Sequence, residues 1–448
     1  LEVNASCGLG KGTSSEYILK LAGQTTRDFF KILVSNYNTP LAPIRKVKTP
    51  PSLVPSEVKE TVSKLITNPT LATVPTPVVH VIVSAVLIDP ESLLPDPEGK
   101  LSEDYGKDAE YISELEAIFR KIGRDPIVHL YPVDPLEDIL LSLDRTNDIV
   151  FNACLGSAGF SVATLLGDLS LNRTVGLNAQ FFTQSASRPI TRQLLKAANI
   201  VTPSSITLNL KYDAKKSLEE LISSTATFIT DLMSYENIWF PIYIKPAKVV
   251  RHRDGQDSGR AVKNEEQLNQ FLNDLFTCES TQNSQSKNEL WIIEEFILGS
   301  EFRVLVAGDG RDPNRDVIVL PPTKYRGPVY NSKGTLASST HSLLKRKESM
   351  QKLDNKFFKQ EKELYSRMEA SELMLQMDIQ DLARRAYCAV HGSCYGLVHV
   401  INKNDEGKLI VLGVQGDVRF GENAKAGIVV ERAGLTMIDL FSWLLQRA

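Results

Sequence analysis

Apolar residues in this chain come in short dense runs, separated by stretches of helical period. VVHVIVSAVLI (78–88), IVHLYPV (127–133) and DIVFNAC (148–154) are rich in β-branched residues and too short for helices, so each predicts a buried strand. Residues 108–123 repeat their apolar positions at helical spacing and stop at Gly123. Strands alternating with helices at these lengths predict a parallel α/β layer. The turn LGSAG follows the third strand.

The pattern then changes. Residues 187–203 predict a helix stopped by Asn199 and Pro203, and 217–233 predict another. FPIYIKPA (240–247) predicts a strand, followed by the loop VVRHRDGQDSGRAV (249–262). Residues 264–276 predict an amphipathic helix. ELWIIEEFILGSEFRVLVAG (289–308) predicts two strands joined by a Gly-Ser turn. The Lys/Glu-dense stretch 344–372 predicts a solvated helix. DIQDLARRAYCAVHG (378–392) predicts a helix, and YGLVHVINKNDEGKLIVLGVQ (395–415) a hairpin turning at Asn404-Asp405-Glu406-Gly407.

The two ends repeat each other. Leu1, Val3 and Gly10 fall on Leu412, Val414 and Gly421 without a gap. Ala22, Gly23, Thr25, Asp28, Phe30 and Leu33 fall on Ala433, Gly434, Thr436, Asp439, Phe441 and Leu444. The expectation is a fragment of a tandem protein, opening in mid-strand: residues 1–38 close an upstream unit and 78–448 form a second. Eight of the 22 prolines lie between Pro40 and Pro77, so 39–77 reads as a stiff linker, with one short helix over 56–65.

Composition narrows the class. The 448 residues are 42% hydrophobic and 23% charged, which excludes a disordered or collagen-like chain. A net charge of −3 from 51 basic and 54 acidic residues gives no reason to expect nucleic-acid or membrane partners. The five cysteines, Cys7, Cys154, Cys278, Cys388, Cys394, form no CxxC, which fits reduced thiols and a cytoplasmic protein. Cys388, His391, Cys394 and His399 match no zinc finger or ribbon spacing, and read as ordinary buried and loop residues.

FPIYIKPA, IIEEFILGSEFRV, TKYRG and the helix–hairpin from Asp378 to Val414, in that order, resemble the D-alanine–D-alanine ligases of the ATP-grasp superfamily. The resemblance covers nearly all of 78–448 and again 1–37. It implies a parallel α/β pre-ATP-grasp domain over 78–188. A two-lobed ATP-grasp part follows, α+β in character, with its central lobe over 189–297 and its C-terminal lobe over 298–448. It also implies ligation of two amino-acid-like substrates through an acyl phosphate, with ATP, two Mg²⁺ ions and a dry site. Dimers are the family habit, and D-alanine is the family's default substrate.

The resemblance puts Lys245 on an ATP phosphate. It makes Glu294, Glu295, Phe296 and Ile297 the adenine hinge and Glu301 the ribose ligand. Lys324 and Tyr325 fall in the mobile loop, the lysine on phosphate and the tyrosine orienting substrate. Arg188 stands in for a second phosphate lysine. In the basic loop Arg251, His252, Arg253, Asp257, Ser258, Gly259 and Arg260, the pair Ser258-Gly259 takes the Ser-Gly role over the phosphates.

The metal positions depart from the family. An Asp, a Glu and an Asn are replaced by His399, Gly413 and Gln415, and the family's arginine by Leu397. Asp417 and Glu422 are the nearby alternative ligands. On the substrate side, Leu155-Gly156-Ser157 lacks the family's His and acids, only Asp89 or Glu91 stands for the N-terminal glutamate, and Ala424 replaces a Ser. The remnant keeps Glu2 and Asn4 at the metal positions and Thr13-Ser14 at the carboxylate position. Two expectations follow. Either the protein is a ligase whose second unit is impaired, with any turnover in unit one, or unit two is a nucleotide-binding or structural pseudoenzyme beside that upstream unit.

Overall fold

The computed structural model describes residues 77–84, 103–131, 134, 136–144, 147–168, 173–210, 215–248, 259–281, 290–311, 317–325, 365–404, 407–421 and 424–447. The upstream remnant with Glu2, Asn4, Thr13 and Ser14, the linker, Asp89, Glu91, Ser258 with most of its basic loop, and Glu422 lie outside them. The chain divides between Ser52 and Leu53, and every described residue belongs to the second unit.

A parallel sheet comes first. It takes β1 (Val79–Ser84), helix α1 (Glu103–Lys121), β2 (Pro126–Tyr131), α2 (Leu136–Ser142), β3 (Ile149–Asn152), α3 (Gly156–Asp168) and β4 (Thr174–Val175). The strand order is β2-β1-β3-β4. β1 and β3 are buried at every residue, as strands covered on both faces must be, which is why both read as unbroken apolar runs. α3 begins at Gly156, so the expected turn LGSAG is largely the first turn of a helix.

Helices α4 (Ala179–Ala186) and α5 (Arg188–Ala197) lead to an antiparallel sheet. It holds β5 (Ser205–Asn209), β6 (Ile242–Pro246), β7 (Arg260–Val262) and β8 (Leu290–Glu295), in the order β5-β8-β6-β7. α6 (Leu218–Tyr235) and α7 (Glu265–Thr281) cover it, with Ile229, Phe276, Ile244 and Ile293 in one core. Ser217 and Glu220 close a capping box on α6. α5 stops where Asn199 turns left-handed, at φ 56°. β7 falls in a stretch expected to be loop.

The third sheet, antiparallel, holds β9 (Gly299–Ala307), β10 (Ile318–Val319), β11 (Thr323–Tyr325) and β12 (Tyr365–Arg367). After helix α8 (Leu373–Ala389) it adds β13 (Tyr395–Lys403) and β14 (Lys408–Gln415). Its order is β12-β11-β9-β13-β14, with β10 also on β9. α9 (Lys425–Arg432) and α10 (Met437–Gln446) close the chain. Three expectations change here. The two strands of 289–308 are not a hairpin, because β8 and β9 belong to different sheets and Gly299-Ser300 starts β9. The described end of the 344–372 stretch holds strand β12. TKY is a strand rather than part of a loop.

One core joins the first and third sheets. Phe441 of α10 lies 5.4 Å from Phe119 and 5.1 Å from Phe151, ring to ring. The final helix thus packs on α1 and β3, with Phe420 5.3 Å from the same ring. Among the described residues no helix is long and apolar enough to cross a membrane.

Candidate functional site

Strand register builds a polar row across the third sheet. Thr323, Arg303, His399 and Gly413 stand opposite one another on β11, β9, β13 and β14. Directly paired residues of antiparallel strands share a face, so the side chains of the row meet. The register shifts between His399 and Val400, leaving a bulge at the centre of the site.

Arg303 is 9% exposed. Its Nη1 lies 3.1 Å from His399 Nε2, and its guanidinium carbon 4.5 Å from the Tyr325 ring centre and 5.9 Å from that of Tyr365. Its Nε is buried without a hydrogen-bond partner. A ring nitrogen facing a guanidinium has to accept, so His399 is neutral. Burial first, then the charges of Arg303, Lys425, Lys245 and Arg188, hold its pKa well below the ordinary histidine value.

A second charged group lies across the antiparallel pair β6 and β8. Glu294 accepts from Lys245 Nζ through one oxygen and from Arg192 Nη2, at 2.5 Å, through the other. All three side chains are buried. Arg192 Nη1 also donates to the Val411 carbonyl, 3.0 Å away, and so ties the second sheet to β14. The lysine expected to meet a phosphate thus has a carboxylate partner within the protein. Glu295 pairs with Lys403 at 2.6 Å. Phe296 and Ile297 are half-buried in the connection between β8 and β9. Phe296 packs 6.5 Å from the Tyr243 ring. Burial raises the pKa of Glu301 against the pull of Arg303 and Lys245, so this carboxyl shares the field of the row.

Not every expected residue converges. Tyr325 joins Arg303, but its neighbour Lys324 pairs in register with Phe302 and sits on the opposite face, its Nζ 3.6 Å from Glu372. Arg188 Nη1 donates to the carbonyls of Pro246 (2.6 Å) and Lys248 (3.1 Å), just past Lys245. Gln415 donates its amide to the Asp417 carbonyl at 2.9 Å. Asp417 Oδ2 accepts from the Gly156 N–H at 3.2 Å, where a carboxylate suits the start of α3. Leu397 is buried.

This row does not fit Mg²⁺, which needs hard anionic oxygens in an octahedron. His399 is neutral and backed by a cation, Gly413 has no side chain, and Gln415 and Asp417 are turned to protein partners. Among the described residues no group of three His, Cys, Asp or Glu side chains is placed to hold a metal.

Arg192 and Arg303 were missed by sequence reasoning. Their signal was a charge on a buried face: Arg303 interrupts the apolar run FRVLVA, and Arg192 lies one turn beyond Arg188.

No protein-family model matches this chain, and no curated protein matches it in sequence. Solved structures do match. A D-alanine–D-alanine ligase from Bacillus anthracis superposes with TM-score 0.53 at 16% identity, over 83% of this chain and 96% of that one. The same enzyme complexed with ATP gives TM-score 0.52 at 16% identity, over 82% and 96%. D-alanyl-alanine synthetase A from Vibrio cholerae gives TM-score 0.53 at 11% identity, over 83% and 98%. The chain therefore has the ATP-grasp fold of the D-alanine–D-alanine ligases.

Proposed function

We propose that this chain is an ATP-grasp unit that binds ATP and does not turn over as a Mg²⁺-dependent carboxylate–amine ligase. The observation that carries this reading is the pair His399 and Gly413, which stands where the resemblance asks for metal ligands, with Arg303 beside His399 in the same row. An acyl-phosphate ligase relies on metal ions to bridge and neutralise the phosphates, a term worth several kcal/mol. Nothing in the row supplies that term.

Nucleotide binding needs less. The connection Glu294 to Ile297 offers backbone groups and the side chains of Phe296 and Ile297 to a base, and Glu301 stands close by for a ribose. Lys245 and Arg188 lie on the phosphate side. The turn at Gly156, which the resemblance puts on the substrate side, already holds the Asp417 carboxylate, which argues against a bound amino-acid substrate. A structural role without nucleotide is the second reading, and the internal pairing of Lys245 with Glu294 favours it.

Calorimetric titration with ATP, in Mg²⁺ and in EDTA, tests the proposal alongside an ADP-release assay with D-alanine. The expected result is binding that survives EDTA, with no ADP release above the blank. ATP binding that requires Mg²⁺, accompanied by ADP release, would overturn it. An absence of binding in both buffers would leave the structural reading.

A further inference from the structure

We infer that the Arg303 row is a metal-free anion site, in which protein cations stand in for divalent ions and hold a bare polyphosphate chain, inorganic or carried by a nucleotide. For the nucleotide this rests on the reading above, and for the phosphates it does not.

Four cations act on one ring: Arg303, Lys425, Lys245 and Arg188 all contribute to the field at His399. Lys245 is also held by Glu294 and Arg188 by two backbone carbonyls, which leaves Arg303 as the central cation. Glu294 is divided between Lys245 and Arg192, and Glu301 faces both Arg303 and Lys245. Arg303 lies at the centre of the row. It is a guanidinium nine-tenths buried, its Nε has no hydrogen-bond partner, and its neighbours are a neutral imidazole, two tyrosine rings and the Glu301 carboxyl, whose pKa burial raises. Ring faces recover part of the cost of burying a cation, and an anion recovers the rest. The planar fork of a guanidinium suits phosphate oxygens. Lys425 opens α9, adding its charge to the positive end of that helix.

The residue at His399 decides the character of the site. A carboxylate there would neutralise Arg303 and, with a second acid at Gly413, invite a metal. The imidazole holds the guanidinium in place and leaves its charge available. A phosphate chain that arrives with Mg²⁺ brings positive charge beside the buried Arg303 guanidinium, so the metal-free chain is preferred.

Tripolyphosphate and ATP, each titrated by calorimetry in EDTA and in excess Mg²⁺, test this. The wild-type chain is expected to bind tripolyphosphate in EDTA and to lose affinity in Mg²⁺. Arg303→Gln should weaken tripolyphosphate binding about ten- to a hundredfold, the worth of one charge-assisted hydrogen bond. Arg303→Lys should recover part of that loss, and His399→Asp should weaken binding as Arg303→Gln does. Thermal melts accompany each variant. If Arg303→Gln fails to fold, Lys425→Gln and Arg303→Lys carry the test, and affinities equal to wild type in both overturn the inference. ATP binding untouched by these changes, with no tripolyphosphate binding, also overturns it while leaving the nucleotide reading intact. Tripolyphosphate binding with ATP no tighter supports the anion site and removes the nucleotide reading.

Discussion

Replacing Glu294 by Gln leaves Arg192 and Lys245 side by side where water barely reaches. Glu294 is 4% exposed, Arg192 5% and Lys245 7%, so solvent screens little of the repulsion. Removing one partner from a buried charge cluster costs about 3–5 kcal/mol. At about 2–4 °C per kcal/mol for a domain of this size, the melting temperature of Glu294→Gln falls by about 6–20 °C. Thermal melts and urea titrations measure this, followed by the fluorescence of Trp291, which is buried on the same strand. Replacing the whole cluster by apolar residues (Glu294→Leu, Arg192→Met and Lys245→Met together) is expected to lie nearer wild type than the single change, because no charge is left stranded.

Acid titration gives an independent check. Burial pushes the Glu294 carboxyl up, but the charges of Lys245 and Arg192 and their hydrogen bonds outweigh it and hold the pKa below the ordinary value. A depressed folded pKa means the stabilisation is full above the unfolded glutamate pKa of about 4.3 and is lost as the pH falls through the folded value. The gap between wild type and Glu294→Gln therefore persists from neutral pH to about 5 and closes well below about 4. A gap under about 1 kcal/mol at neutral pH, or one that does not close in acid, would refute the argument that this cluster is a buried, mutually compensated unit.

Gly299→Ala should cost at least about 2 kcal/mol, read by urea unfolding, because the position has φ 149° and an added Cβ would stand 1.9 Å from the Asn402 carbonyl oxygen. The parallel sheet should weaken in mild acid. His80 Nδ1 and His129 Nε2 are 2.9 Å apart, a gap that holds one proton, and His80 also meets Asp148 at 3.4 Å. Burial is the main cause that lowers both pKa values, so the folded state resists protonation and stability is lost as pH falls below about 6.5. The fall in melting temperature between about pH 7.5 and 5.5 should shrink in the double variant His80→Asn, His129→Asn, and an unchanged fall would dismiss these rings as its source.

Local signals sufficed for most elements. Dense β-branched runs marked β1 and β3, because strands covered on both faces need apolar side chains on both. Asn199, Gly123 and Ser217 marked helix ends through positive φ or a capping oxygen. Lys245 at a strand end and the sequence Glu294-Glu295-Phe296-Ile297 were legible as a candidate site through the resemblance that their motifs carry. The expected Gly-Ser turn failed because alternating polarity fixes a strand's two faces, not the sheet it joins. Of the expected helix over 344–372 only the end from Tyr365 lies among the described residues, where it holds β12.

The sequence by itself determined most of the strands and helices and the residue types that stand at 399 and 413, since side-chain identity does not depend on folding. Only the tertiary structure decided what surrounds them. Arg303 and His399 are 96 positions apart, and they meet because β9 and β13 pair in one register. The same register turns Tyr325 toward Arg303 and Lys324 away from it. Arg192 finds Glu294 only because α5 packs between two sheets. Such pairings follow from strand register and helix packing between distant segments, and local propensity carries no record of them.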